Sequence, residues 1–468
     1  MGKEIKNNHT VPEKIIEKIV SAPAQALEQT LQTTSELAQK LVDNKPVNKA
    51  RGYWATLGPG LTTGAADDDP SGIATYSQTG AQYSFNLLWL AAFSFPLMAM
   101  VQEMCARIGL VTGRGLAGNI RRLFPKSVLY IITMLLLAAN TFNIGADLGA
   151  MASATNLLIP NLGFASLVIF FTVVSLGLQI FTTYAQYAKY LKWLALALLA
   201  YIASAFMVNL NGKELLLNTV IPHLNFSRDE IFLVCGILGT TISPYLFFWQ
   251  TSQEVEEEIL AGKTSLKLRQ TQTTDVEISK MRTDVWSGMF FSNLVMFFII
   301  VTCAATLNKA GITNVQTAAE AAAALRPLAG PYASLLFALG VIGIGLLAVP
   351  VLAGSTAYAM SEAFGWRHGL YRKLKNAYPF YGVIIISMAL GLIMNFVGLD
   401  PIKALIYAAV LNGLVAPIIL VFVVKISSDK KVMNHRVNKP WTQAFGWIIT
   451  GLMILVGVAT LAILIVPK

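Results

Sequence analysis

The sequence predicts an all-α, polytopic membrane protein, and three observations carry that expectation. Of 468 residues, 55% are hydrophobic and only 13% charged, about half the charged share of an ordinary soluble chain. Mean hydropathy is +0.59. Apolar stretches near 20 residues recur along the chain, the length an α-helix needs to cross a hydrocarbon layer about 30 Å thick. Two of these stretches are interrupted by proline, and one of the two carries Asp67, Asp68 and Asp69 in succession.

Taken in order, residues 1–50 are polar, and Ile15, Ile16, Ile19, Val20, Leu27 and Leu31 recur at helical spacing, which suggests an amphipathic helix in a cytoplasmic N-terminal segment. No cleavable signal peptide is expected, because this start lacks a continuous apolar core. Residues 51–468 read as one membrane domain. Spans are expected near 55–80, 85–111, 128–158, 162–184, 189–210, 230–252, 284–307, 331–360, 379–397, 401–424 and 443–466. The first is the weakest by hydropathy and is kept for its motif. The third and eighth are long, so they tilt or extend beyond the bilayer.

Loop charge sets the orientation. Arg114, Arg121, Arg122 and Lys126 follow the second span, and Lys189 and Lys192 the fourth. Lys263, Lys267, Arg269, Lys280 and Arg282 follow the sixth, Arg367, Arg372, Lys373 and Lys375 the eighth, and Lys425, Lys430, Lys431, Arg436 and Lys439 the tenth. The positive-inside rule then places the N-terminus in the cytoplasm of a cell (plasma or inner) membrane. The net charge of +10 is explained by these loops, so no nucleic-acid partner is expected. Cys105, Cys235 and Cys303 lie in apolar stretches and read as buried thiols. His9, His223, His368 and His435 read as tail or loop residues. Glu254, Glu256, Glu257 and Glu258 read as a solvated segment after the sixth span.

The two interruptions are Asp69-Pro70-Ser71-Gly72 in span one and Thr240-Thr241-Ile242-Ser243-Pro244-Tyr245 in span six. Each proline lacks an N–H and crowds the carbonyl four residues earlier, freeing the carbonyls of Ala66 and Thr240. Loose backbone and ionisable groups at membrane depth are tolerated only against protein or a polar cavity. The breaks fall in spans one and six, so the repeating unit has five helices, an odd number, and its second copy enters from the opposite side. Matched breaks in two inverted halves point to a midplane site. The expected repeats are about 52–212 and 228–426, with an extra helix at 443–466.

Gly58-Pro59-Gly60, Asp69-Pro70-Ser71-Gly72, Gly80-Ala81-Gln82-Tyr83 with Leu87-Leu88-Trp89, and Leu110-Val111-Thr112-Gly113-Arg114 together resemble the Nramp family of divalent metal transporters. The resemblance covers most of residues 52–466. It implies a LeuT-type fold of two inverted five-helix repeats plus an eleventh helix. The departures matter. Ser71 and Gly72 stand where typical members have Gly and a ligand Asn. Thr240, Ser243, Pro244 and Tyr245 stand where they have a ligand Ala carbonyl and Met-Pro-His. Asp147 matches the first acid of the family's proton pathway, and Ala150 replaces the second. These changes resemble the branch of Nramp-related magnesium transporters.

The candidate metal site is therefore Asp69, Ala66, Thr240 and Ser243, with Gly72 and Tyr245 at two further altered positions. Asp68, Asp147, Asn293 and Asn412 are candidates around it or along a pathway. Asp67, Asp68 and Asp69 cannot all face one ion within a helix, because successive side chains diverge by about 100°. All first-choice ligands are oxygens, which suit Mg²⁺, Ca²⁺ and Mn²⁺. Gly72 and Ser243 remove bulk, which suggests a roomier pocket for a partly hydrated ion. The expected function is alternating-access transport of Mg²⁺, and also Mn²⁺, uncoupled or weakly coupled to protons. The transported dication and the lipid bilayer are the partners, with no further cofactor and no enzyme activity. The nearest rival is a proton-coupled Mn²⁺/Fe²⁺ symporter. A sodium-coupled carrier of organic solutes is disfavoured because Asp69 would repel a substrate carboxylate. An intramembrane aspartyl protease is disfavoured because neither Asp69 nor Asp147 lies in a Gly-x-Gly-Asp context.

Overall fold

A computed structural model describes residues 58–182, 198–208 and 210–465. The amphipathic segment expected near residues 15–31, His9, and Lys189 and Lys192 lie outside the described residues. So do the first part of the fifth span and the start of the first. Among the described residues every regular element is helical.

The first span is two half-helices, α1 (Pro59–Asp67) and α2 (Pro70–Tyr83). Then come α3 (Trp89–Thr112), the short α4 (Leu116–Leu123), α5 (Lys126–Asn156), α6 (Phe164–Phe181) and α7 (Leu199–Met207). The second half opens with another broken span, α8 (Arg228–Thr241) and α9 (Pro244–Leu260). It continues with α10 (Asp275–Cys303), α11 (Ala333–Phe364), α12 (Tyr378–Met394) and α13 (Pro401–Ser427), and the chain closes with α14 (Pro440–Ile465). Among the described residues, eight helical spans are long and apolar enough to cross a membrane. Helix α5 has 31 residues and so is about 46 Å long, well beyond the hydrocarbon thickness, as expected for a tilted span.

Local chemistry sets the helix ends. Proline occupies the first helical position of α1, α2, α9 and α13, where its missing N–H costs nothing. Ser227 caps α8, and Thr274 forms a capping box with Glu277 at the start of α10. Gly113 (φ +61°) and Gly365 (φ +75°) end α3 and α11 in the left-handed region that glycine enters without strain.

Helices α1, α3, α9 and α10 pack together as one group, and α5, α6, α11 and α12 as another, while α13 touches α2, α5, α8 and α14. Large apolar side chains face outward, with Phe206 77% and Ile465 78% exposed, while Asp69, Asn143 and Asp147 are buried. That inverted polarity is what a lipid-embedded protein with a polar interior requires. Glycine permits a tight crossing of α1 and α10: a Cβ on Gly288 of α10 would lie 2.2 Å from the Gly60 carbonyl of α1, and one on Gly64 would lie 2.3 Å from the Gly288 carbonyl. The three cysteines are free and buried.

One expectation fails on this side of the molecule. Glu254, Glu256 and Glu258 are buried on α9 and do not form a solvated segment. Each has found donors. Gln250 Nε2 donates to Glu254 at 2.8 Å, the Leu370 N–H and the Tyr358 hydroxyl donate to Glu256, and Lys263 pairs with Glu258 at 3.3 Å. Helix α9 extends past the apolar stretch and α11 covers it, which the local run of charge did not reveal.

Candidate metal site

Proline makes the two breaks, and tertiary packing sets them against each other. Helix α1 ends at Asp67, Asp68 leaves helical geometry, and Asp69 becomes the N-cap of α2. Helix α8 ends at Thr241, and Ser243 (ψ 132°) leads into Pro244. The Tyr245 hydroxyl donates to the Ala66 carbonyl at 2.9 Å, tying one break directly to the other. Thr240 Oγ1 meets the Tyr76 hydroxyl at 2.9 Å, a second tie.

Asp69 is the centre of the arrangement. Its Oδ1 accepts from the Gly72 N–H at 2.9 Å and from Ser71 Oγ at 2.6 Å, and its Oδ2 accepts from Asn143 Nδ2 at 2.9 Å. An ionised carboxylate has about four lone-pair directions, so the three donors leave capacity for a further electrophile. The acid thus doubles as a helix cap.

The freed carbonyls are not bare, which corrects the expectation drawn from the prolines alone. The Ala66 oxygen accepts from Tyr245, and Ser243 turns its hydroxyl onto the carbonyls of Gly239 (2.7 Å) and Thr240 (2.6 Å). Each carbonyl keeps a second lone pair, and the Ser243 oxygen keeps its own. Gly72 does not leave open room either. Its Cα faces the Tyr76 ring, which a Cβ would meet at 3.3 Å.

The surrounding candidates separate. Asp67 accepts from Ser292 Oγ of α10 at 2.7 Å, the polar neighbour it needed. Asp68 Oδ1 is buried without a partner, and so are both oxygens of Asp147 and Oδ1 of Asn143. Asp147 and Asn143 are four residues apart on α5, hence on one face of it, and that face meets Asp69. Asn293 is elsewhere. Its amide donates to Ser94 Oγ of α3 at 3.0 Å, so it joins helices and does not line the break. Asn412 is buried on α13, beside the crossing with α8, with neither amide atom partnered. Sequence reading missed the roles of Asn143 and Tyr76. Asn143 lies one turn before Asp147, and Tyr76 one turn after Gly72, so each shares a helix face with a residue already singled out.

Chemically, the centre holds more acceptors than donors. The C-terminal ends of α1 and α8 present backbone carbonyls to it, and the unpartnered carboxylate and amide oxygens add to them. Tyr245→Phe should therefore break the tie between the half-helices and cost about 1 kcal/mol. A thermal unfolding midpoint equal to wild type would show that this bond adds nothing.

Two discontinuous helices meeting inside two inverted five-helix repeats, followed by an eleventh helix, define a membrane protein of the LeuT-type fold. Residues 60–463 match the family described as natural resistance-associated macrophage protein-like, Nramp. The chain belongs to the Nramp family. Among solved structures it is similar to the Eremococcus coleocola manganese transporter. A histidine-to-alanine variant of that protein superposes with a TM-score of 0.70 at 17% identity, covering 88% of this chain and 87% of the other. Its complex with an aromatic bis-isothiourea substituted compound gives 0.67 at 18%, covering 89% of each. MhsT in complex with L-phenylalanine shares the fold more distantly, with a TM-score of 0.53 at 14% identity over 87% of this chain and 97% of the other.

Proposed function

We propose that this protein is a divalent metal cation transporter that carries Mg²⁺, and Mn²⁺ as well, across a cell membrane by alternating access. The observation that supports this most is the acceptor-rich junction of the two breaks, where Asp69 has capacity left and sulfur and imidazole ligands are replaced by Ser243 and Tyr245. Asp69, the Ala66 and Thr240 carbonyls and the Ser243 oxygen form the proposed ligand set, completed by water. Mg²⁺ favours such a site, with one or two carboxylates and retained waters at about 2.1 Å. The ion itself would displace the Tyr245 and Ser243 hydroxyls from the two carbonyls, or share those carbonyls with them.

Inward movement of a dication needs no second ion, because the membrane potential supplies about 4.6 kcal/mol per 100 mV to two charges. We place the N-terminus in the cytoplasm, on the side of the Lys- and Arg-rich loops. In proteoliposomes, Mg²⁺ uptake should follow an imposed potential without acidifying the lumen. Uptake of one or more protons per ion would favour a second reading, a proton-coupled Mn²⁺/Fe²⁺ symporter. That reading has one observation behind it, the unpartnered Asp147 carboxylate on the helix face that meets Asp69. Cd²⁺ separates the two as well. A site without sulfur should let Cd²⁺ compete poorly against Mn²⁺, and strong competition would count against the oxygen-only ligand set.

A further inference from the structure

Away from the breaks, a cavity of about 410 Å³ opens between the α3–α4 link, the end of α9 and the segment that follows α11. Its volume falls in the range of small-molecule sites. Five arginines line it: Arg114 beside α4, Arg121 on α4, Arg269 from the α9–α10 connection, and Arg367 and Arg372 after α11. Among the described residues, two carboxylates line the cavity with them, Glu256 and Glu362. Both are already engaged, Glu256 by the Leu370 N–H at 2.6 Å and the Tyr358 hydroxyl, and Glu362 by the Gly118 N–H at 2.8 Å and His368 Nε2 at 3.7 Å. Among the described residues, none of the five guanidinium groups lies within ion-pair distance of either carboxylate.

The wall also holds donors with nothing to donate to. Arg114 Nε, Ser252 Oγ and Trp366 Nε1 are buried without partners, and Ser252 and Trp366 are 3% and 4% exposed. Buried donors left unpaired are costly. Arg269, Arg372 and Arg121 each give some of their N–H groups to backbone carbonyls, and the net positive charge around the unpaired donors favours an anion with several acceptor oxygens. Gly113, Gly115, Gly365 and Gly369 line the same wall, and the room left by their missing side chains lets Arg269, Glu362, Arg121 and Tyr371 pack tightly around it. From this convergence of three chain segments we infer that the cavity binds a phosphate-bearing ligand. The five guanidinium groups exclude a cation there, and so separate this site from the one at the breaks. Burial, with the neighbouring Arg122 second, holds the Arg114 guanidinium below its usual range, a penalty that a bound anion would reverse. Two sources share the chemistry: a soluble phosphate compound and an anionic lipid headgroup.

The test uses the full chain in nanodiscs, in metal-free and phosphate-free buffer. In the first arm, discs of phosphatidylcholine are titrated with sodium pyrophosphate by calorimetry. In the second, phosphatidylglycerol retained by the purified protein is measured by native mass spectrometry. Saturable pyrophosphate binding assigns the site to a soluble phosphate, and lipid retention alone assigns it to a headgroup. In either case Arg114→Gln with Arg367→Gln should weaken binding about tenfold or more, because each charge-assisted hydrogen bond is worth that much. Arg367 is exposed, so Arg367→Gln alone serves if the double variant has a lowered unfolding midpoint, and Arg367→Lys should recover only part of the loss. The inference is overturned if neither probe binds, or if Lys430→Gln with Lys431→Gln, outside the cavity, weakens binding equally.

Discussion

Asp69→Asn should lower the affinity for Mg²⁺ and Mn²⁺ by more than 100-fold and leave the protein folded. Loss of a residue that merely supports a metal ligand costs about 10–100-fold, and Asp69 is the proposed charged ligand itself. The amide keeps one oxygen, so the cap on α2 through the Gly72 N–H can persist. Asp69→Ala is the less informative variant, because it also removes the cap and should cost about 1 kcal/mol of stability. Calorimetry with each ion, alongside the unfolding midpoint, separates the two effects. Wild-type affinity in Asp69→Asn would reduce Asp69 to a helix cap and sink the proposed site.

Gly288→Ala should destabilise the protein severely, although Gly→Ala inside a helix ordinarily gains about 0.5–1 kcal/mol. The added methyl would meet the Gly60 carbonyl at 2.2 Å and Leu61 Cα at 2.8 Å. These are backbone atoms, with no side chain to swing aside, so the cost should reach or exceed the roughly 1–3 kcal/mol of ordinary overpacking. The crossing also holds the start of α1, since Asp284 of α10 accepts from the Gly60 N–H (2.6 Å) and the Leu61 N–H (3.2 Å). Prying α10 away would then release α1 and the first break. Gly451→Ala in α14 is the control, because a Cβ there meets nothing within 4 Å. Equal unfolding midpoints for the two variants would mean that the crossing tolerates separation.

Much of the architecture was legible in one dimension because the bilayer imposes a strict length and polarity on each span. The described helices start and stop within a few residues of the expected limits, except around the breaks, at α9 and α10, and at the start of α7, before which the residues lie outside the described ones. There, charged turns such as Glu254–Glu258 and Asp275–Arg282 continue the helix beyond the apolar stretch. Hydropathy cannot see such extensions, since buried glutamates with donors look like solvated ones in a sequence. The polar neighbours of Asp69 were partly legible. Asp147 stood out as an acid in an apolar helix, but that Asn143, one turn before it, faces Asp69 depends on how α5 crosses α2.

The sequence by itself determined where the two spans break, because proline removes a hydrogen bond wherever the rest of the chain goes. It likewise determined that the proposed metal ligands nearest those breaks are oxygen atoms, and that the chain is built for lipid. Only the tertiary structure decided that Ala66 and Thr240 already share their carbonyl oxygens with the Tyr245 and Ser243 hydroxyls, and that five arginines from three segments gather around one cavity. A broken backbone bond is a local event, whereas the group that takes its place is chosen by whichever side chain packing brings within three ångströms.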